Sequence, residues 1–235
     1  MNKQVSHGDY FDLSANLRVT ALHTPYHTRG HICYAVTSVD AAGTSDAEPA
    51  LSVIPASGGG SDRALECDAR VSKGSMDERE AGAASTTAVN LFTGDALFVC
   101  GCGRINTGGD HCELHHSLLQ VIAKAGPPAD TKVWVGHEYT EANIRFALAV
   151  EPGNKALRER AEKVKAARAE GRPTVPSTLA DELATNPFLR PGAPEVRAYV
   201  RAADGASDAD VVGALRAAKD SFGMGAKAGR REPST

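Results

Sequence analysis

The chain has 235 residues, enough for one large domain or two small ones, and its 26 Lys and Arg against 29 Asp and Glu leave a net charge of −3. That near-balance argues against a nucleic-acid surface, and no apolar run approaches transmembrane length or forms a basic-then-apolar leader. Hydrophobic residues make up 42% but aromatics only 5%, so the core is packed largely from small residues; five cysteines (33, 67, 100, 102, 112), odd in number and irregular in spacing, argue for a reducing compartment without a disulfide framework.

Residues 17–22 and 32–37 alternate or run apolar and predict two strands around a turn, His23-Thr-Pro-Tyr-His27-Thr-Arg-Gly-His31. Residues 38–88 are rich in Ala, Ser, Gly and Asp, and only Ala50–Pro55 has strand character; the rest is expected to be a flexible insertion, since it offers too little apolar surface to offset ordering. Residues 89–93 and 131–135 predict two further strands, with a helix between them over His111–Lys124 carrying Leu114, Leu118, Leu119, Val121 and Ile122 at helical spacing. Beyond His137 the pattern is helical, over Asn143–Val150, Asn154–Glu170, Pro194–Ala203 and Asp208–Phe222. Ser207 with Asp210 makes a capping-box-like start to the last of these, and Gly223 suits its C-cap.

Three of these segments end an apolar strand in a residue able to hold a metal: His27-Thr-Arg-Gly-His31, Phe92-Thr-Gly-Asp95, and Trp134-Val-Gly-His137-Glu138-Tyr139. Strands deliver their last residues to one edge of a sheet, and the turn that follows is where an open α/β sheet keeps its chemistry. Two imidazoles and a carboxylate gathered there suit zinc or iron. Taken singly, His27 reads as readily as a structural histidine, Asp95 as a turn residue after Gly94 and His137 as a strand cap. Cys100-Gly-Cys102 reads as a metal pair or as small buried residues. Arg216 and Lys219, three apart on one helix face, read as a solvated pair or as an anion grip.

As a set, the segments resemble glyoxalase II, the hydroxyacylglutathione hydrolases of the metallo-β-lactamase superfamily. His27-Thr-Arg-Gly-His31-Ile-Cys-Tyr34 is similar to that family's third metal segment, and Phe92-Thr-Gly-Asp95 through Arg104 to its bridging-aspartate segment. Gly136-His137-Glu138-Tyr139-Thr140, with Asn143, Phe146 and Val150-Glu-Pro-Gly-Asn154, is similar to its last ligand and the helix after it. Pro173-Thr-Val-Pro-Ser-Thr-Leu179 and Thr185-Asn-Pro-Phe-Leu-Arg190 match its helical domain. The superfamily's Thr-His-X-His-X-Asp-His segment has no counterpart, so four of the family's metal ligands are missing, and the chain reads as the C-terminal part of such an enzyme.

The resemblance implies an α/β (α+β) fold. A partial metallo-β-lactamase αββα sandwich would span 1–138, a helical glutathione-binding domain 139–226 and a disordered tail 227–235. It implies metal ligation by His27, Asp95 as the bridge, and His137, with His31 structural. The cofactor is expected to be zinc, binuclear in the family, with iron or manganese as alternatives, and its occupancy here is expected to be low. The expected substrate is a glutathione thiolester such as S-D-lactoylglutathione, held by Arg104, Tyr139, Arg216 and Lys219, while Asn106 stands where the family often has a second Tyr. The reaction is thiolester hydrolysis to glutathione and a 2-hydroxy acid in methylglyoxal detoxification, with the metals activating water and polarising the carbonyl. No nucleic acid, no membrane, a monomer, and a cytoplasmic location (mitochondrial if a leader lies upstream) complete the expectation. A truncated, non-catalytic glutathione-binding fragment is the rival reading. A mononuclear iron persulfide dioxygenase or another superfamily hydrolase is a third reading. The Arg216/Lys219 helix and Asn186-Pro-Phe-Leu-Arg190 speak against it.

Overall fold

The computed structural model describes residues 5–39, 89–106 and 108–228. The expected insertion over 38–88 therefore falls outside the described residues from position 40 on, as does the tail from position 229.

The strands in chain order are β1 (Tyr10–Ser14), β2 (Leu17–His23), β3 (Ile32–Ser38), β4 (Val89–Gly94), β5 (Leu97–Phe98), β6 (Gly101–Cys102), β7 (Thr131–Val135) and β8 (Ser177–Thr178). Six of them form one sheet in the order β1-β2-β3-β4-β7-β8, and β5 pairs with β6 in a small hairpin. All pairings in the large sheet are antiparallel except β4 with β7, where Leu91 lies opposite Val133 and Phe92 opposite Trp134. Because β2 and β4 each run antiparallel to β3, they run parallel to each other, and β7 follows β4. The C-terminal ends of β2, β4 and β7 therefore share one edge of the sheet, and all three candidate ligand segments leave from that edge.

The period-2 alternation of the strands sorts the two faces. Leu22, Cys33, Ala35, Leu91 and Val133 point into a core shared with Leu114, Leu118, Val121 and Ile122. On the opposite face Tyr34 and Phe92 are exposed, and Phe92 stacks on Trp134 with ring centroids 6.1 Å apart.

The helix expected over 111–124 forms with changing geometry. It begins as α1 (His111–His115), capped by a reciprocal Asp110–Glu113 box, then widens to a π turn over His116–Val121 and tightens to a 3₁₀ turn over Ile122–Lys124. The later helices are α2 (Thr140–Val150), α3 (Lys155–Ala169), α4 (Leu179–Thr185), α5 (Pro194–Tyr199) and α6 (Asp208–Ala228). Two boundaries depart from expectation. α5 stops at Tyr199 rather than 203, and two residues later Arg201 takes a left-handed φ of 54°. α6 runs past Gly223 to Ala228, so that glycine is not its cap; a helical glycine costs about 1 kcal/mol, too little to end a helix by itself. The expected start of α6 holds, with Ser207 and Asp210 exchanging hydrogen bonds between side chain and backbone N–H, each 3.1 Å.

The C-terminal helices are not a separate layer. β8 adds to the sheet edge through Val133 opposite Ser177, and Leu179, Phe188, Val211 and Leu215 belong to the same core as Leu22 and Leu91. No helix among the described residues is long and apolar enough to cross a membrane.

Candidate active site

At the shared sheet edge Asp95 lies between two imidazoles. His27 Nε2 is 3.5 Å from Asp95 Oδ2, and His137 Nε2 is 3.5 Å from Asp95 Oδ1. These gaps are longer than the 2.7–3.2 Å of an N–H···O bond. They match the spacing of about 3.4 Å between two ligands on a tetrahedral ion with bonds of about 2.1 Å. His27 Nδ1 donates to the Arg104 carbonyl at 3.0 Å, which turns Nε2 toward a carboxylate oxygen of Asp95. Imidazole nitrogen and carboxylate oxygen are both donor atoms for a borderline divalent ion. The donor set thus fits two half-sites sharing one carboxylate, each with one imidazole and one oxygen. Among the described residues no group of three or more His, Cys, Asp or Glu side chains is gathered closely enough to hold a metal ion.

Close backbone packing holds Asp95 in place. A Cβ on Gly136 would sit 2.7 Å from Asp95 Oδ1, and one on Gly103 would sit 2.0 Å from the Asp95 carbonyl and 3.0 Å from His27 Nδ1. Both positions therefore require glycine. Tyr26, fully buried, donates its hydroxyl to the Ala96 carbonyl and ties the His27 turn to the Asp95 turn. His31 lies beneath the same turn, bonded within the protein. Its Nε2 accepts from the Asp95 N–H at 3.3 Å, so Nδ1 carries the proton and donates to Thr24 Oγ1 at 2.8 Å, while burial holds the ring's pKa below the usual histidine value. Glu138 turns away to accept from the Thr174 N–H at 3.1 Å and from the Thr140 hydroxyl at 2.8 Å.

A cavity of about 540 Å³ opens from this edge, lined by His27, Asp95 and His137 at one end and by α2 and α6 along its sides. All four residues expected to bind substrate line it, namely Arg104, Tyr139, Arg216 and Lys219. Tyr139, half exposed, stacks on His137 with centroids 5.0 Å apart and meets the edge of Phe98. Lys219 donates to Asn143 Oδ1 at 2.6 Å; burial, and then the neighbouring Arg216, push its pKa down to about 8.

Arg216 is placed differently from a solvated or freely gripping cation. It is 4% exposed and donates to the Cys102 carbonyl at 2.8 Å and to Asp220 at 3.0 Å, with Nε unpartnered. It braces the Gly-Cys-Gly turn. Asp220 also pairs with Arg104 at 3.3 Å, so one carboxylate links two of the cavity's guanidiniums.

The reading of Cys100 and Cys102 as a metal pair fails. Both thiols are free and buried, and burial raises their pKa values, that of Cys100 to about 12, so neither is a ready thiolate ligand. Cys33 is likewise free, whereas Cys112 is disulfide-bonded, contrary to the expectation at that position.

Sequence reasoning missed the support beneath the site. Glu182, fully buried, accepts from Arg160 at 2.7 Å, Ser177 at 2.7 Å, Asn186 at 3.0 Å and the backbone N–H of Cys100 at 2.9 Å. Asn186 also donates to the Gly101 carbonyl at 3.0 Å, so the Asn-Pro-Phe-Leu-Arg segment holds the β5–β6 hairpin. Asn143, from α2, donates to the Val99 carbonyl at 3.0 Å from beneath Gly101.

Residues 138–222 match the family described as hydroxyacylglutathione hydrolase C-terminus. The curated relatives include hydroxyacylglutathione hydrolases of Methylococcus capsulatus, 52% identical over 56% of this chain and 50% of that protein, and of Jannaschia sp., 52% identical over 57% and 51%. That of Rhizobium meliloti is 34% identical over 94% of this chain and 65% of its own length. The aligned part of this chain spans about half the length of the first two relatives. Among solved structures, ETHE1 from Myxococcus xanthus aligns with a TM-score of 0.41 and 20% identity, over 92% of this chain and 59% of that one.

Proposed function

We propose, for a chain that is a relative of the hydroxyacylglutathione hydrolases, that its cavity takes a glutathione thiolester and that the full site hydrolyses S-(2-hydroxyacyl)glutathione. With S-D-lactoylglutathione the products are glutathione and D-lactate, a step of methylglyoxal detoxification carried out by a monomer in the cytoplasm. The observation that carries this reading is the pair of imidazole-to-carboxylate gaps, 3.5 Å each, on either side of Asp95 in a cation-lined cavity.

His27, Asp95 and His137 would hold two divalent ions, zinc by donor type, with iron or manganese as alternatives. When bound, such ions supply activated water and polarise a carbonyl oxygen. The chain's own residues do the rest. The Arg104 carbonyl fixes the His27 tautomer, Phe98 and Tyr139 wall the reacting end, and Lys219 and Arg104 offer positive charge to a ligand carboxylate. Arg216 acts as a positioning residue by holding the turn that carries Gly103 and Arg104. Residues 139–226 serve as the glutathione-binding region.

Each ion would take two protein ligands from the described residues, where three is usual for a catalytic zinc. That count favours a second reading, in which this chain alone binds glutathione conjugates but turns them over slowly. The test is hydrolysis of S-D-lactoylglutathione by the chain with added zinc and with chelator, beside metal analysis. Slow, chelator-sensitive turnover lost in Asp95→Ala supports the first reading. Binding without turnover supports the second, and turnover indifferent to chelator and to Asp95→Ala overturns the metal assignment.

A further inference from the structure

We infer that Arg145 is a specificity-determining residue that receives a second carboxylate of the ligand, away from the Asp95 end of the cavity; this rests on the proposed glutathione reading. Four cations line the cavity, and three of them are committed within the protein. Arg104 pairs with Asp220 at 3.3 Å, Arg216 with Asp220 at 3.0 Å and the Cys102 carbonyl at 2.8 Å, and Lys219 with Asn143 at 2.6 Å. Arg145 lines the same cavity, is exposed, and has no ion pair or hydrogen bond among the described residues.

A lone exposed arginine is most often only a solvated charge. Its place in a concave wall whose other cations are all partnered sets this one apart. Arg145 lies on α2, six residues after Tyr139, which is roughly 9 Å of helix rise. Ala142, also lining the cavity, leaves that stretch of wall without a bulky side chain. Lys219 meets α2 at Asn143 and over the Phe146 ring, so Arg145, with Ala142, lies on the neighbouring face of that same turn and adds an unpartnered positive charge beside the partnered Lys219 and Arg104. A guanidinium fork grips a carboxylate with two parallel hydrogen bonds. The matching ligand is a dicarboxylate, with a carboxylate at each end and its reacting sulfur between them. In a γ-glutamyl-cysteinyl-glycine conjugate, the glycine carboxylate meets Lys219 and Arg104, and the α-carboxylate of the γ-glutamyl end meets Arg145.

The test is calorimetric titration of the full chain with S-methylglutathione, which cannot be hydrolysed, and with its analogue amidated at the γ-glutamyl α-carboxylate. Arg145→Met should weaken S-methylglutathione about fivefold, the scale of an exposed charge pair. It should leave the amidated analogue unchanged, and Arg145→Lys should recover part of the loss. The melting temperature should stay at the wild-type value, since the side chain is exposed. Equal affinity of wild type and Arg145→Met for S-methylglutathione, or an equal loss on both ligands, overturns the assignment while leaving the glutathione reading intact. No saturable binding of S-methylglutathione by the wild-type chain overturns that reading and this inference with it.

Discussion

Raising the pH should weaken binding of an anionic ligand through Lys219 well before an ordinary lysine would titrate. Lys219 is packed against Phe146 and Asn143, and burial, then Arg216, lower its pKa to about 8. On that value roughly 90% of the side chain is charged at pH 7 and roughly 3% at pH 9.5, about a 30-fold loss of the binding-competent form. The loss is capped by the worth of a charge-assisted hydrogen bond, about 1.5–3 kcal/mol, so the dissociation constant for S-methylglutathione should rise roughly 10- to 30-fold between these pH values. The sign for folding is opposite. A depressed lysine pKa burdens the folded state while the group is charged, and that burden is relieved as pH rises from about 8 toward the unfolded value of 10.5. Lys219 therefore contributes no loss of stability over this range, and unfolding cannot mimic the effect. Calorimetry at both pH values on wild type and Lys219→Arg separates the cause from titration of the ligand's own amine. The arginine variant stays charged and should lose far less affinity. An equal loss in both proteins, or none in wild type, would refute the assignment.

Two further outcomes follow from the packing. Gly136→Ala places a methyl 2.7 Å from Asp95 Oδ1 and 3.0 Å from the Gly94 carbonyl, so the carboxylate must turn away from His137. Zinc affinity, measured by competition with a chromophoric chelator, should fall about 10- to 100-fold while the circular dichroism spectrum keeps its helical content, and unchanged affinity would remove Asp95 from the metal site. Arg160→Met leaves Glu182 buried without its cation, which should cost about 3–5 kcal/mol in urea denaturation; a cost below about 1 kcal/mol would mean the pair is not the keystone of the hairpin support.

The convergence of His27, Asp95 and His137 was legible because three apolar runs each ended in a ligand-type residue, and parallel strand ends share an edge. The helices after His137 were legible from their 3.6-residue period. Two-residue strands such as β5, β6 and β8 carry no readable period; β5 and β6 are defined only by pairing with each other and β8 by pairing with β7. The Arg160–Glu182 pair joins the helix Lys155–Ala169 to a residue 22 positions away, a separation that no local spacing reveals. Arg216 was read as a free cation because the spacing to Lys219 marks a shared face but not depth. Asp220, four residues on, was within helical reach in the sequence, and its dual pairing with Arg104 needed the fold to appear.

Anomalous diffraction at the zinc edge, from crystals of this chain grown with zinc, tests the central claim most directly. The account predicts peaks about 2 Å from Asp95 Oδ2 and His27 Nε2, and from Asp95 Oδ1 and His137 Nε2. Zinc found only on other histidines, such as His7, His23 or His116, with both gaps beside Asp95 empty, would contradict it.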